Sequence, residues 1–194
     1  ACVDGWFTLP LAIPNYLAGL AGQPLLDVDA PEATEALDDV RGRIDHLINN
    51  PGHTRPATFH RRLGEILYAG CGVSRSEAGL TRALEQVQEL REEFWRDVRV
   101  TGTDDRLNQE LEKAGRVADF LELAELMITD ALDRQESCGA HFREEYALPD
   151  GEAKRDDERW CNVSAWETNP AGQHRRYQEP LRFESVKLQV RNYR

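Results

Sequence analysis

The sequence predicts a mainly α fold: an antiparallel three-helix bundle, with an extra N-terminal helical segment before it and an irregular C-terminal region carrying a short β-hairpin after it. Three observations support this. Apolar residues recur at three-four spacing from about residue 31 to residue 135, the runs are broken by short Asn, Pro, Gly and Ser punctuation, and the helical period disappears after Gln135.

The N-terminal stretch Gly5 to Leu20 is the most apolar part of the chain, but Pro10, Pro14 and Asn15 interrupt it. It is shorter than the roughly 20 residues that a membrane-spanning helix needs, so burial in protein is expected instead. Asp4 stands where a signal peptide carries basic residues. The sequence opens at Ala1 inside this apolar pattern, which reads as a cut through a longer protein.

From Pro31 onward Ala33, Ala36, Leu37, Val40, Ile44, Leu47 and Ile48 follow helical spacing, ending at Asn49-Asn50-Pro51-Gly52. Pro51 disfavours a helical residue before it and Gly accepts a left-handed cap, so the stop has a cause. A second helix is expected from Pro56, with Phe59, Leu63, Ile66 and Leu67 buried and Gly70 and Gly72 at its end. Ser74 and Glu77 read as a capping box for a third, with Leu80, Leu84, Val87, Leu90 and Phe94 on one side. The longest helix is expected from about Asp104 to Gln135, with Leu107, Leu111, Ala114, Ala118, Leu121, Ile128 and Leu132 along its seam. Long helices joined by short loops pack antiparallel. Beyond them, runs at Trp160–Thr168 and Leu181–Val190 are expected to pair as a hairpin across the polar loop Asn169–Gln178.

Composition excludes several functions. The 194 residues carry 35 acids against 24 bases, a formal net charge of −11 that repels nucleic-acid backbones. Arg61-Arg62 and His174-Arg175-Arg176 are too short and isolated to form a binding stripe. Cys2, Cys71, Cys138 and Cys161 lack the spacing of a disulfide framework or a zinc ribbon, which fits a reducing compartment. No Gly-rich dinucleotide fingerprint or P-loop occurs.

The densest polar cluster is Glu136-Ser137-Cys138-Gly139-Ala140-His141-Phe142-Arg143-Glu144-Glu145, followed after a spacer by Lys154-Arg155-Asp156-Asp157-Glu158-Arg159-Trp160. One reading makes His141 a proton carrier held by an acid such as Asp156. The other, favoured by the residue types, is a lattice of ion pairs and hydrogen bonds between segments. Cys138 and His141 together would bind a metal, or act as a Cys-His nucleophile in a hydrolase, only with further ligands or an oxyanion hole that the flanking sequence does not offer. Glu89, Glu92, Glu93, Glu122 and Glu125 miss the Glu-x-x-His spacing of carboxylate metal bundles and read as a solvated face.

The order Cys71-Gly72-Val73-Ser74-Arg75, Leu80-x-x-Ala83-Leu84, Glu136-Ser137-Cys138-Gly139-Ala140-His141-x-Arg143-Glu144, Arg155-Asp156-Asp157 and Trp160 resembles the C-terminal portion of the succinate dehydrogenase and fumarate reductase flavoprotein subunit. Many members carry Arg where Cys138 stands and a shorter spacer before the Arg-Asp-Asp run. The Cys138 form, the spacer Tyr146–Lys154 and the tail Glu179-Pro180-Leu181-x-Phe183-x-x-Val186-Lys187-Leu188-x-x-Arg191-Asn192-Tyr193 resemble the branch that exchanges electrons with menaquinone through a di-haem membrane anchor.

The resemblance implies that residues 1–28 are the tail end of a preceding flavin domain, 29–136 a helical bundle domain, and 137–194 a C-terminal extension. It places FAD, its anchoring histidine, the catalytic arginine and the dicarboxylate clamp upstream, so no catalytic, cofactor-binding or metal residue is expected between Ala1 and Arg194. The implied role is structural support for FAD-dependent interconversion of succinate and fumarate. The implied partners are the flavin domain of the same subunit, an iron-sulfur subunit and a membrane anchor, at the cytoplasmic face of the cell membrane. Ser137, His141, Arg143, Arg155, Asp156, Asp157 and Trp160 would form a network tying the helical domain to its neighbours. The alternative is a free-standing acidic helical module that binds a basic partner.

Overall fold

The computed structural model describes residues 2–24, 27–103, 106–169 and 172–189. The chain divides into two compact units, with the boundary between Arg43 and Ile44. The first unit holds a π-helical turn (Asp4–Thr8), α1 (Leu9–Leu17), a 3₁₀ turn (Ala18–Leu20) and the start of α2 (Pro31–Asn49). Pro10 follows closely on the π-helical turn and cannot donate back to it, and Pro14 lies inside α1. Trp6, Phe7, Leu11 and Tyr16 are all exposed.

In the second unit α3 (Pro56–Gly70), β1 (Ser74–Arg75), α4 (Glu77–Asp97) and α5 (Gln109–Asp133) follow. Contacts fix the helix directions. Phe59 meets Phe94 edge-to-face at 5.3 Å, Arg62 forks onto Glu93, and a Cβ built on Gly70 would lie 2.6 Å from that of Ala83, so α4 runs antiparallel to α3. Two shallow grooves join Pro56 and Ala57 with Lys113 and Arg116, and Leu67 with Met127, so α5 runs with α3. The bundle is therefore up-down-up, as short loops dictate.

Its core follows the sequence pattern. Leu80, Ala83, Val87, Leu90 and Phe94 on α4 alternate at three and four residues, and Ala114, Val117, Ala118, Leu121, Ala124, Ile128 and Ala131 line α5. The alanines on α5 let the helices approach closely, while Phe59 and Phe94 supply bulk. Leu47 is the buried residue of α2, and Leu37 and Val40 are exposed.

Three expectations need correction. Ser76, not Ser74, caps α4: its Oγ accepts the Gly79 N–H at 3.2 Å, while Ser74 lies in β1 and donates to Glu144 at 2.9 Å. The longest helix is Gln109–Asp133, 25 residues or about 37 Å. Asn108 starts it by accepting the Glu110 and Leu111 N–H groups, which leaves Leu107 outside the helix and 92% exposed. The expected start at Asp104 lies outside the described residues.

The hairpin is the third correction. β3 (Asn162–Thr168) pairs antiparallel with β4 (His174–Pro180), not with Leu181–Val190. Cross-strand polar pairs build it: Tyr177 donates to Glu167 at 2.6 Å, and Thr168 bonds His174 at 2.8 Å. Hydropathy does not reveal a strand that opens His-Arg-Arg-Tyr, in which only His174 and Arg176 are half-buried. Gly172, at φ 76°, closes the turn. Leu181–Gln189 has no regular structure, and Val190 and the end of the tail motif lie outside the described residues.

Candidate functional site

The polar cluster read from sequence assembles at the C-terminal end of α5. Its first layer is backbone. Cys138 and His141 exchange two hydrogen bonds, N–H to O at 2.8 and 3.2 Å, across a two-residue turn in which Gly139 takes φ 61°. β2 (Phe142–Arg143) then pairs parallel with β1, and the Phe142 N–H reaches Val73 O.

Arg143 is the centre. It is 1% exposed, and its Nη1 donates to the carbonyls of Ala131 at 2.9 Å and Leu132 at 3.2 Å. These are among the last carbonyls of α5, which lack helical partners and carry partial negative charge. Arg143 Nε donates to Glu145 at 3.1 Å, and Tyr146 lies against the guanidinium. Ser137, fully buried, donates to Arg143 O and accepts the Arg143 N–H.

His141 is half-buried. Its Nδ1 sits 2.9 Å from Arg75 Nη1, and its Nε2 sits 3.0 Å from Arg134 O. Arginine only donates and a carbonyl only accepts, so Nδ1 is the acceptor and Nε2 carries the proton. Burial, together with the charges of Arg75, Arg134 and Arg143, lowers its pKa below the usual histidine value, against the opposing pull of the Arg134 carbonyl. Asp156 is not its partner, and both ring nitrogens are engaged. The arrangement suits neither a proton carrier nor a Cys138-His141 metal pair. The Cys71 thiol nearby is pushed up by burial, partly offset by Arg75.

A second layer joins the later motif. Glu136, 2% exposed, accepts from Arg134 through one oxygen and from the Asp156 N–H at 2.9 Å through the other. Ser137 N–H donates to Lys154 O. Asp156 caps α6 (Asp157–Trp160) by accepting the Arg159 N–H at 3.2 Å. Arg155 forks onto one Asp157 oxygen at 2.9 and 2.5 Å and donates to Gln189 O. The guanidiniums of Arg159 and Arg176 both lie over the Trp160 ring, 5.8 and 5.0 Å from its centre. The hairpin is fastened to α5 by Trp166 Nε1 donating to Asp130 at 2.7 Å and by an Arg176–Asp133 ion pair.

All seven residues singled out from sequence thus fall in one region. Arg75, Arg134, Glu136 and Glu145 complete it. Arg75 and Glu136 stood within the quoted motifs, whereas Arg134 had no sequence signal beyond its charge. The arrangement can lock segments together, cap a helix end and hold buried charge in balance. A surface cleft of about 570 Å³ lies apart from it, between α4, α5 and the hairpin, and there Arg91 and Gln88 both bind Glu125.

No described helix is long and apolar enough to cross a membrane. The family model described as fumarate reductase flavoprotein C-term matches residues 60–193, from α3 through the polar cluster to the tail. The fumarate reductase flavoprotein subunit of Proteus vulgaris is 29% identical over 182 residues, covering 92% of this chain and 29% of that protein. Its counterpart from Escherichia coli K12 is 33% identical over 118 residues, 61% of this chain and 19% of the relative. A solved quinol-fumarate reductase with menaquinol molecules superposes with a TM-score of 0.72 at 26% identity, over 91% of this chain and 29% of that one. The chain therefore spans under a third of the length of these relatives. With the helical bundle, the Glu136–Trp160 network and the match from residue 60 to residue 193 in agreement, the chain belongs to the C-terminal family of fumarate reductase and succinate dehydrogenase flavoproteins.

Proposed function

We propose that this chain serves as the structural C-terminal domain of a flavoprotein subunit that interconverts succinate and fumarate, with FAD and the reacting groups held by the upstream part of that subunit. The observation that carries this reading is the family match over residues 60–193, which includes the three-helix bundle from within α3 onward and the network at its end. Residues 1–28 would close the flavin domain, 29–136 form the helical domain, and 137–194 the extension. The exposed apolar side chains Trp6, Phe7, Leu11 and Ile13 support a packed neighbour for the first of these. The same family match favours this over a free-standing acidic interaction module.

In this reading Ser137, His141, Arg143, Arg155, Asp156, Asp157 and Trp160 tie the bundle to its neighbours in the subunit. An iron-sulfur subunit and a membrane anchor at the cytoplasmic face of the membrane complete the complex, and the Cys138 motif and the tail favour the menaquinone-linked branch.

The test compares this chain with the full-length subunit, wild type and Arg155→Ala/Asp156→Ala, by flavin content, melting temperature and succinate oxidation with an artificial acceptor. The chain alone should bind no flavin and show no turnover, and the double variant should lose flavin retention or melt earlier. Turnover by the chain alone would overturn the non-catalytic assignment. A double variant unchanged in both flavin and melting temperature would remove the tying role.

A further inference from the structure

His141 holds three separate pieces of the chain together through two hydrogen bonds, of which the one accepted from Arg75 requires a neutral ring. Nδ1 must stay unprotonated to accept from Arg75 of β1, and Nε2–H must point at the Arg134 carbonyl just beyond α5. A second proton on Nδ1 would face the Arg75 guanidinium head-on. The charged groups around the ring are cationic: Arg75 on β1, Arg134 after α5 and Arg143 on β2. The nearby acids are directed elsewhere. Glu136 takes Arg134 and the Asp156 N–H, Glu145 takes Arg143 and the Glu77 N–H, Glu144 takes Ser74, and Glu77 of α4 lies 3.9 Å from Arg143. Among the described residues no carboxylate hydrogen-bonds His141.

We propose that His141 is a proton-operated latch: its neutral ring clasps the Cys138–Phe142 turn to β1, and protonation releases that turn while Arg143 and the bundle stay in place. Release is local because the restraints given up are few and peripheral. They are the Arg75–His141 bond, the Cys138–His141 turn and the Phe142 N–H to Val73 O bond, whereas the bonds of Arg143 to Ser137, Ala131 and Leu132 and the α3–α5 core do not depend on the ring.

The direction follows from linkage. The closed segment resists protonation, whereas an opened one takes up a proton at the ordinary histidine value of about 6.5. Opening is therefore favoured as pH falls below about 6.5 and levels off beneath the lowered value of the closed form. The gain in opening is about tenfold for each pKa unit by which the closed ring is depressed.

The experiment is amide hydrogen exchange on the 194-residue chain at about pH 7.5 and about pH 5.5, corrected for intrinsic exchange, with the His141 ring followed by NMR. Protection at Cys138, His141 and Phe142 should fall on acidification by up to about tenfold, in step with the ring's titration, while Val98 and Arg99 keep theirs. His141→Gln, whose carbonyl and amide reproduce both bonds without titrating, should abolish the fall. Arg75→Met should shrink it by removing the facing charge. Equal loss at Val98, or protection that stays constant through the ring's titration, would overturn the latch. Should the Gln variant not fold, the wild-type comparison and Arg75→Met decide it alone.

Discussion

Ser137 and Arg143 bond each other twice: the Arg143 N–H donates to Ser137 Oγ at 2.8 Å, and the Ser137 hydroxyl donates to Arg143 O at 3.1 Å. One hydroxyl thereby satisfies both main-chain groups of a buried arginine and fixes where that arginine emerges. Ser137→Ala leaves a buried N–H and C=O without partners at a cost of about 1–3 kcal/mol. For a chain of this size that lowers Tm by roughly 2–4 °C per kcal/mol. Calorimetry reads it, and an unchanged Tm would mean that water replaces the hydroxyl.

Arg143 converts that placement into a helix cap. Arg143→Met removes the donors to Ala131 and Leu132 and the partner of Glu145. The expected loss is about 2–4 kcal/mol, since charge-assisted bonds and buried volume vanish together. Arg143→Lys keeps the charge but cannot span two carbonyls and a carboxylate, so it should recover only part of the loss. Urea midpoints of the two variants test this, and full recovery by Lys would show that charge alone matters.

The bundle is legible because its signals are redundant: Leu80, Val87, Leu90 and Phe94 declare one face, and Pro56 and Gly70 mark the ends of α3. Boundaries are less so. Ser74 and Ser76 both offer a hydroxyl before α4, and only the strand made by Ser74 decides between them. β4 was hidden because its stability comes from pairs such as Tyr177–Glu167 and Arg176–Asp133, which exist only once β3 and α5 are adjacent. The cluster's membership could be read from motif density, but not its wiring. His141 has an arginine where the sequence offered Asp156, because proximity across 66 residues of chain is set by β1 pairing with β2.

Two glycines should respond oppositely to alanine. A Cβ on Gly52 would meet Asp97 O at 2.2 Å and Val98 O at 2.6 Å, backbone atoms that cannot swing away. Gly52→Ala should cost about 1–3 kcal/mol as overpacking. Gly115, inside α5, has nothing within 4 Å of a new Cβ, so Gly115→Ala should stabilise by about 0.5–1 kcal/mol. Paired melting curves check the contrast, and a stabilising Gly52→Ala would disprove the close approach.

Arg62 and Glu93 cross from α3 to α4 with two bonds of 2.6 Å each. The Arg62 hydrogen bond holds the Glu93 carboxyl below its usual range, against a smaller opposing effect of burial. A depressed carboxylate contributes stability that is present above its unfolded value, about pH 4.3, and is lost as pH falls through the lower folded value. Both side chains are part-exposed, so the pair should contribute only about 0.5–1 kcal/mol. A double-mutant cycle of Arg62→Met and Glu93→Gln at neutral pH should return that coupling and lose it in acid, once the pH lies below both the unfolded and the lower folded carboxyl value. Coupling that persists there would mean that the two side chains hold α3 to α4 by packing, with the charge incidental.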